Sequence, residues 1–369
     1  MRILHVVGGM NRGGVETWLM HVLRNIDRER FRFDFLVHTT KPCAYDEEIR
    51  SLGSSIIPCM KPSRPWLYAS TFKRILKEHG PYDVVHSHVH HYSGFVLRQA
   101  HKAGIPKRIA HSHNDTSSSE LKAGVARKTY LNLMKRLIRM HATKGLACSR
   151  KAAVSLYGKN WEADSRWQIL YCGIDLDQFT NPPDRGAIRK ELGIPLNAFV
   201  VGHVGRFAEQ KNHTFLVDIF NALAKREPKA WLLLVGDGPL RHAIERKIDQ
   251  LDLKERVVFA GLRSDVPHLM KGAMDVFLLP SLHEGLPVVL IEAQAANIPC
   301  IFSDVITYEV DIIPELIHRE LANSTDEFWA STILIHKEKL NQNQTNNLTL
   351  IKLSPFNIDI SMEKLSHAY

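Results

Sequence analysis

Short apolar runs of strand length recur through the chain, and each is followed by a polar or glycine-bearing turn. Residues 2–7, 33–37, 83–86, 108–110 and 146–149 form such runs in the first half, and 199–204, 231–235, 257–259 and 275–279 in the second. They are apolar almost throughout rather than alternating, the pattern of strands buried on both faces. Between them lie longer stretches with apolar residues at helical spacing, among them 15–25, 45–52, 66–79, 94–103 and 215–225. Strand and helix in alternation predict parallel sheets covered on both faces, an α/β protein. In such sheets ligands gather beyond the carboxyl ends of the strands, so the turns there are where chemistry is sought.

The turn after 275–279 is the richest. It opens the stretch Pro280-Ser281-Leu282-His283-Glu284-Gly285-Leu286-Pro287-Val288-Val289-Leu290-Ile291-Glu292. A loop over 281–285 and a helix over 286–296 are predicted, with Pro287 near the first helical position and Asn297-Ile298-Pro299 as the stop. Glu284 then stands at the mouth and Glu292 about two turns further in, on the order of 12 Å away. The helix N-terminus beside Gly285 offers backbone N–H groups to an anion. One acid at the mouth and one deeper, around an anion site, suit a nucleotide sugar. The plain alternative makes Glu284 a loop carboxylate favouring the helix dipole and Glu292 a solvated side chain. Val288 to Ile291 leave no wide polar face to explain Glu292 that way.

Three other turns add candidates. Gly8-Gly9 to Gly13-Gly14 links a strand to a helix, where glycine lets the backbone approach a ligand. Gly205-Arg206 and Lys211-Asn212 follow the run 199–204, pairing a planar guanidinium fork with a point charge. A departing diphosphate needs such charge. His86, His88, His90 and His91 follow one strand, and His111 and His113 another. Two H-x-H pairs can hold a metal, but no Asp or Glu at a later strand end completes that set, so no metal is expected.

These motifs together resemble the retaining GT-B glycosyltransferases of family 4. Glu284 and Glu292 match its E-x7-E, Gly205-Arg206 to Lys211-Asn212 its G-R-x4-K-N, and Gly13-Gly14-Val15-Glu16 its G-G-x-E. Leu170 to Phe179 is similar to its N-G-x-D…F hinge, with Cys172 where Asn is usual. The likeness implies two Rossmann-like domains with parallel sheets facing across a cleft. Residues 1–180 would form the acceptor-side domain, 181–350 the nucleotide-sugar domain, and 351–369 a tail returning to the first. It implies that Arg206 and Lys211 hold the diphosphate and that Glu284 binds sugar hydroxyls beside the backbone of Gly285, Leu286 and Val288. Glu292 would hold the ribose, Gly13 and Gly14 would let the backbone approach the donor, and Leu262 and Arg263 would wall the base pocket. One histidine would face the donor sugar: His113 by alignment of the strand end, His111 otherwise. The donor, UDP- or GDP-linked, is a substrate, and no cofactor is expected. The implied activity moves a sugar, with retention of configuration, to a saccharide or lipid-linked saccharide, as in bacterial exopolysaccharide and capsule synthesis. A nucleotide-sugar epimerase or hydrolase of the same fold, or a non-catalytic sensor, are the alternatives.

Composition changes this picture in two places. The 369 residues suffice for two cored domains, and the net charge of +9 divides unevenly. Residues 1–180 hold 28 Lys and Arg against 15 Asp and Glu, while the remainder holds 20 against 24. Within the basic half, 119–144 carries Lys122, Arg127, Lys128, Lys135, Arg136, Arg139 and Lys144 against Glu120, with apolar residues at helical spacing. Such a helix either packs on the core as an ordinary surface helix or leans on an anionic membrane. No nucleic-acid signature accompanies the charge, so no nucleic-acid partner is expected. Five scattered cysteines without C-x-x-C, no signal-peptide pattern and no apolar run near 20 residues point to a cytoplasmic protein, peripheral on the inner face if the basic helix engages lipid. Beyond residue 304 the signals are a capping box at Ser324-Thr325-Asp326-Glu327 opening a helix to about 340, an Asn/Gln-rich loop over 341–347, and a closing helix from 361.

Overall fold

The computed structural model describes residues 1–59, 63–181, 183–339 and 348–369. Lys61 and Pro62 of the loop after the third strand, Pro182 of the expected linker and the Asn/Gln-rich segment 341–347 lie outside the described residues. The chain divides into two compact units, Met1–Gly173 with Ile358–Tyr369, and Ile174–Asn357.

The first unit contains seven parallel strands: β1 (Arg2–Val7), β2 (Arg32–Val37), β3 (Ser55–Pro58), β4 (Val84–Ser87), β5 (Lys107–Ser112), β6 (Lys144–Ala147) and β7 (Trp167–Ile169). Their order is β3-β2-β1-β4-β5-β6-β7. The second unit has six: β8 (Phe199–Val204), β9 (Ala230–Val235), β10 (Val257–Gly261), β11 (Val276–Leu279), β12 (Cys300–Ser303) and β13 (Ile317–Glu320), ordered β10-β9-β8-β11-β12-β13. Ile3, Leu4, Val6, Leu232, Leu233, Leu234 and all of β11 are buried, as strands covered on both faces require. The two sheets thus make two Rossmann-like domains. In each, the order reverses at one place, between β1 and β4 and between β8 and β11. A doubly wound sheet opens a crevice at that place, past the strand ends.

Several elements depart from the sequence expectation. The expected last strand of the first unit, 146–149, is followed by one more, β7, whose short run Trp167–Ile169 carries too little apolar pattern to stand out. β3 and β13 are edge strands with one buried residue each, and their patterns are equally weak. The basic stretch 119–144 is two helices, Ser117–Leu121 and Val125–His141, broken at Gly124, which adopts an extended backbone as the second helix's cap. The capping residue of Asp326–Lys339 is Thr325 rather than Ser324, its hydroxyl accepting from the Phe328 N–H at 3.3 Å.

The helix Ile358–Ala368 and Tyr369 belong to the first unit, where the Ser361 hydroxyl donates to the Tyr171 carbonyl at 2.8 Å. Tyr369 is buried. In the second unit the core gathers Phe207, Phe220, Leu234, Leu278 and Trp329. No helix among the described residues is long and apolar enough to cross a membrane.

Candidate active site

The loops after β8 and β11 meet at the order switch of the second unit. β8 ends at Val204, Gly205 and Arg206 follow, and Phe207 turns back into the core with no exposed surface. Its N–H donates to the Asp237 carbonyl at 3.0 Å, which pins this loop to the one after β9. The approach is so close that only glycine fits at 236. Its φ is +135°, and an added Cβ would stand 2.1 Å from the Gly205 carbonyl oxygen. Arg206 is left exposed at the tip of this rigid turn.

Lys211 closes a 3-10 turn, Glu209–Lys211, before Asn212, in the left-handed region at φ 54°, admits the helix His213–Arg226. The Lys211 Nζ donates to Glu284 Oε1 at 2.6 Å. Gln210 Nε2 donates to the other oxygen of Glu284 at 2.9 Å and to the His283 carbonyl at 3.0 Å, and the Leu282 N–H donates to the Gln210 carbonyl at 2.9 Å. Glu284 is buried, 7% exposed, and is compensated there by a cation and an amide. Each of its oxygens keeps a further lone pair for a ligand hydroxyl.

The helix after this loop is Val288–Ala295, shorter than the expected 286–296, because Pro287 sits at the cap with a non-helical ψ of 89°. Glu292 therefore lies little more than one turn in, not two. Leu286 is buried, Gly285 is buried beside Glu284, and Val288 is half-buried as the first helical residue. Burial alone pushes the Glu292 carboxyl up from 4.5 to about 7. A carboxyl poised there is uncommon for a structural residue and marks a site candidate. At the end of β10, Leu262 is exposed, whereas Arg263 is committed. Its fork holds Asp265 at 2.8 and 2.6 Å, and its other nitrogen holds Glu191 at 2.7 Å. These carboxylates hold it firmly protonated.

In the first unit Gly13 caps the helix Gly14–Asn25 with extended backbone, and the Glu16 carboxylate lies against it, 2.5 Å from where a Cβ would stand. Gly14 faces open space. The histidines of β1 and of the ends of β4 and β5 form one hydrogen-bonded ladder, buried except for the half-buried His88. His113 Nε2 lies 2.9 Å from His88 Nδ1, His88 Nε2 lies 3.0 Å from His5 Nδ1, and His86 Nε2 lies 3.2 Å from His111 Nδ1. The Tyr369 hydroxyl joins the two arms, 2.9 Å from His86 Nδ1 and 3.4 Å from His5 Nε2. His111 has no exposed surface, whereas His113 keeps 8%, so of the two candidates only His113 presents surface. Burial pushes His113 down to about 3, leaving a neutral imidazole. Cys172, at the hinge position where Asn is usual, is buried with its thiol 3.9 Å from His113 Nδ1. A cavity of about 340 Å³ lies beside the ends of β4 and β5, lined by His90, His91, Tyr92, Glu120, Arg127 and Tyr130.

Within the second unit the structure brings together Lys211 and Glu284, with Arg206 on the same loop as Lys211. Gln210 went unnoticed in the sequence, because an amide between two exposed-looking residues carries no pattern. Its tie to Glu284 is a matter of geometry alone. Four histidines at two-residue spacing, His86 with His88 and His111 with His113, signal a cluster in the sequence, but not Tyr369 or His5 within it.

Comparison with known proteins follows the same division. Residues 12–178 match the family described as Glycosyltransferase Family 4, and residues 184–347 that described as Glycosyl transferases group 1. A putative glycosyltransferase of Bacillus subtilis, EpsF, is 41% identical over 338 residues, 90% of this chain and 86% of the relative. The UDP-Gal:alpha-D-GlcNAc-diphosphoundecaprenol alpha-1,3-galactosyltransferase of Escherichia coli is 25% identical over 100% of this chain and 96% of its own. The crystal structure of Anabaena HepE with UDP-glucose superposes with a TM-score of 0.80 at 20% identity, covering 100% of this chain and 98% of that one, a likeness of fold. With matching domains in order and a relative of that identity over most of its length, the chain belongs to the family 4 glycosyltransferases and has the GT-B fold.

Proposed function

We propose that the protein transfers a sugar from a nucleotide-sugar donor to a saccharide or lipid-linked saccharide, with retention of configuration, in the synthesis of a bacterial surface polysaccharide. The observation that carries this reading is the pairing of the β8 and β11 loops at the order switch. It gathers Arg206, Lys211 and Glu284 where a diphosphate and its sugar would be held. The bond from the sugar C1 to the diphosphate oxygen breaks and its electron pair leaves with the diphosphate, while the acceptor hydroxyl oxygen bonds to C1 on the same face and its proton passes to the departing diphosphate oxygen. Arg206 and Lys211 stabilise that charge as it develops. Glu284 keeps its carboxylate for the sugar hydroxyls, and Glu292, near neutrality in its titration, accepts from the ribose. Gly285, Leu286 and Val288 supply backbone at the head of the helix, and Leu262 supplies an apolar wall for the base. The family resemblance gives His113 to the donor sugar and Gly13 and Gly14 to close approach of the backbone.

The names of the relatives support the acceptor class. The Escherichia coli enzyme is named for an acceptor on diphosphoundecaprenol and for UDP-Gal. A capsular polysaccharide enzyme of Staphylococcus aureus is 26% identical over the whole chain. We place the acceptor sugar in the cavity by Tyr92 and Tyr130, whose rings and polar neighbours suit a pyranose. The transfer itself uses no metal, since two cations already face the leaving group. A lipid-linked acceptor would put the protein on the inner face of the membrane. A thermal-shift screen against UDP- and GDP-sugars tests the donor, since a ligand bound only by the native state raises the melting temperature. Proton NMR of the product anomer tests retention. A shift with turnover only to free sugar, or to an epimer, would replace transferase by hydrolase or epimerase.

A further inference from the structure

Three of the ladder histidines are arranged as ligands. One ring nitrogen from each of His88, His111 and His113 lies within 4.8 Å of the other two. His111 and His113 alternate along the end of β5 and so project to one side of the sheet, as His86 and His88 do from β4. The nitrogens these rings turn outward are already held: His88 Nε2 by His5, His111 Nδ1 by His86, and His113 Nδ1 by the Cys172 thiol. Their inward nitrogens are His88 Nδ1, His111 Nε2 and His113 Nε2. The second of these is buried with no hydrogen-bond partner among the described residues.

We propose that His88, His111 and His113, none of them a residue of the diphosphate grip, form a three-imidazole site for a borderline divalent transition-metal ion such as Zn²⁺ or Co²⁺. Metal-bound histidines are oriented by a neighbour on their second nitrogen, and here all three have one before any ion arrives. Ligand nitrogens around tetrahedral zinc stand about 3.3 Å apart, so the His88–His113 pair at 2.9 Å needs to open by only a few tenths. An all-imidazole set selects Zn²⁺, Co²⁺, Ni²⁺ or Cu²⁺ over Mg²⁺, which prefers oxygen. The fourth position is left for water or an exogenous ligand. The other two clusters are weaker. In the trio His5, His86 and His88, His86 spends both nitrogens on partners outside the trio, Tyr369 and His111, and keeps none to face an ion. Beside His90 and His91, Glu120 already holds Lys135 at 2.6 Å and Thr116 at 2.6 Å.

The test is cobalt titration of the full, tag-free chain after chelator treatment and gel filtration. The site predicts one equivalent of Co²⁺ with the intense visible bands of four-coordinate cobalt, displaced by equimolar Zn²⁺ and unaffected by excess Mg²⁺. H88A should weaken binding roughly 100-fold or more, and H5A, which removes only an orienting partner, roughly tenfold. H242A, at an exposed helix position of the second unit, should bind like the parent. Because His111 is wholly buried, H111Q serves as its variant, and its far-UV circular dichroism is compared with the parent's. A parent that retains no cobalt, or an H88A/H111Q double variant that folds and retains it fully, overturns the site.

Discussion

Lys211 Nζ stands 2.6 Å from Glu284 Oε1 and ties the loop after β8 to the loop after β11, 73 residues later. The two strands are neighbours only because the sheet reverses order between them. The pair therefore lies where the fold opens its crevice, and its two charges have opposite assignments, one to the diphosphate and one to sugar hydroxyls. In the free protein each charge holds the other in place, which spares a buried carboxylate from standing alone.

Removing either cation should cost at least about 10²-fold in kcat, the scale for one lost transition-state donor. Arg206→Ala and Lys211→Ala separate in a second measurement. Arg206 is exposed, so its loss should leave the melting temperature near that of the parent. Lys211→Ala leaves Glu284 buried without its cation and with only the Gln210 amide, a loss of a few kcal/mol, and should lower the melting temperature by several degrees. In a double-mutant cycle, Glu284→Gln should recover part of that stability but none of the turnover. Near-parental kcat in both single variants would remove the diphosphate role.

Glu292 gives a pH dependence with a definite sign. Its carboxyl is raised from 4.5 to about 7 in the folded chain, so the folded state binds more protons than the unfolded between those values. Stability then falls as pH rises from 4.5 to 7, by roughly 3 kcal/mol at full ionisation. Glu292→Gln should flatten that part of the stability profile. Donor affinity should move the other way and rise through pH 7 in the parent, because the ionised carboxylate is the better acceptor for a ribose hydroxyl. Calorimetric titration of UDP at pH 6 and pH 8 checks this, and equal affinities would release Glu292 from the ribose.

Gly236→Ala tests the support under the grip. The added methyl group would overlap the Gly205 carbonyl and sit at a φ that alanine rarely adopts. The loop bearing Arg206 must shift, and a displacement near 1 Å in a positioning element can cost about 10²-fold in rate. Loss of kcat/KM with a folded circular dichroism spectrum is expected. An unchanged rate would mean that the loop after β9 does not set the position of Arg206.

Much of this was legible in the chain. Apolar strands followed by glycine, arginine and glutamate turns located the β8 and β11 loops, because buried parallel strands and their carboxyl-end turns leave a strong local pattern. Helix ends were less legible. Pro287, expected near the first helical position, is the cap, and the difference moved Glu292 by about half a turn. What stayed hidden was long-range, as with Tyr369 entering a histidine ladder that begins at His5. Arg263 pairing with Glu191 and Asp265 was hidden in the same way, since no local spacing encodes which distant charges meet.

Turnover should persist in a strong chelator. Two cations face the leaving group in the proposed transfer, and no step of it is carried by an ion on the histidines. Steady-state rates with and without chelator, at fixed magnesium, measure this. Abolished activity restored by one equivalent of a transition metal would instead place the ion in the reaction.

The basic helix Val125–His141 buries Leu131, Met134 and Ile138 on its inner side. Its outer surface exposes Arg127, Lys128, Arg136 and Arg139 together with Val125, Leu133 and Met140. Lys135 is not part of that surface, since it is half-buried and bound to Glu120 at 2.6 Å. Exposed cations interleaved with large apolar side chains are the composition of a surface that rests on anionic lipid, each cation adding about 1 kcal/mol near the bilayer. Three engaged together give reversible, salt-sensitive binding. Lys128→Glu, Arg136→Glu and Arg139→Glu combined should abolish sedimentation with phosphatidylglycerol vesicles and leave the donor's thermal shift unchanged, since none of the three is a residue of the proposed donor site. Raising the salt should release the parent in the same assay, because the Debye length shortens from about 10 Å at 0.1 M to about 3 Å at 1 M. A parent that does not sediment at low salt would reduce this helix to a solvated face and leave the enzyme reading standing.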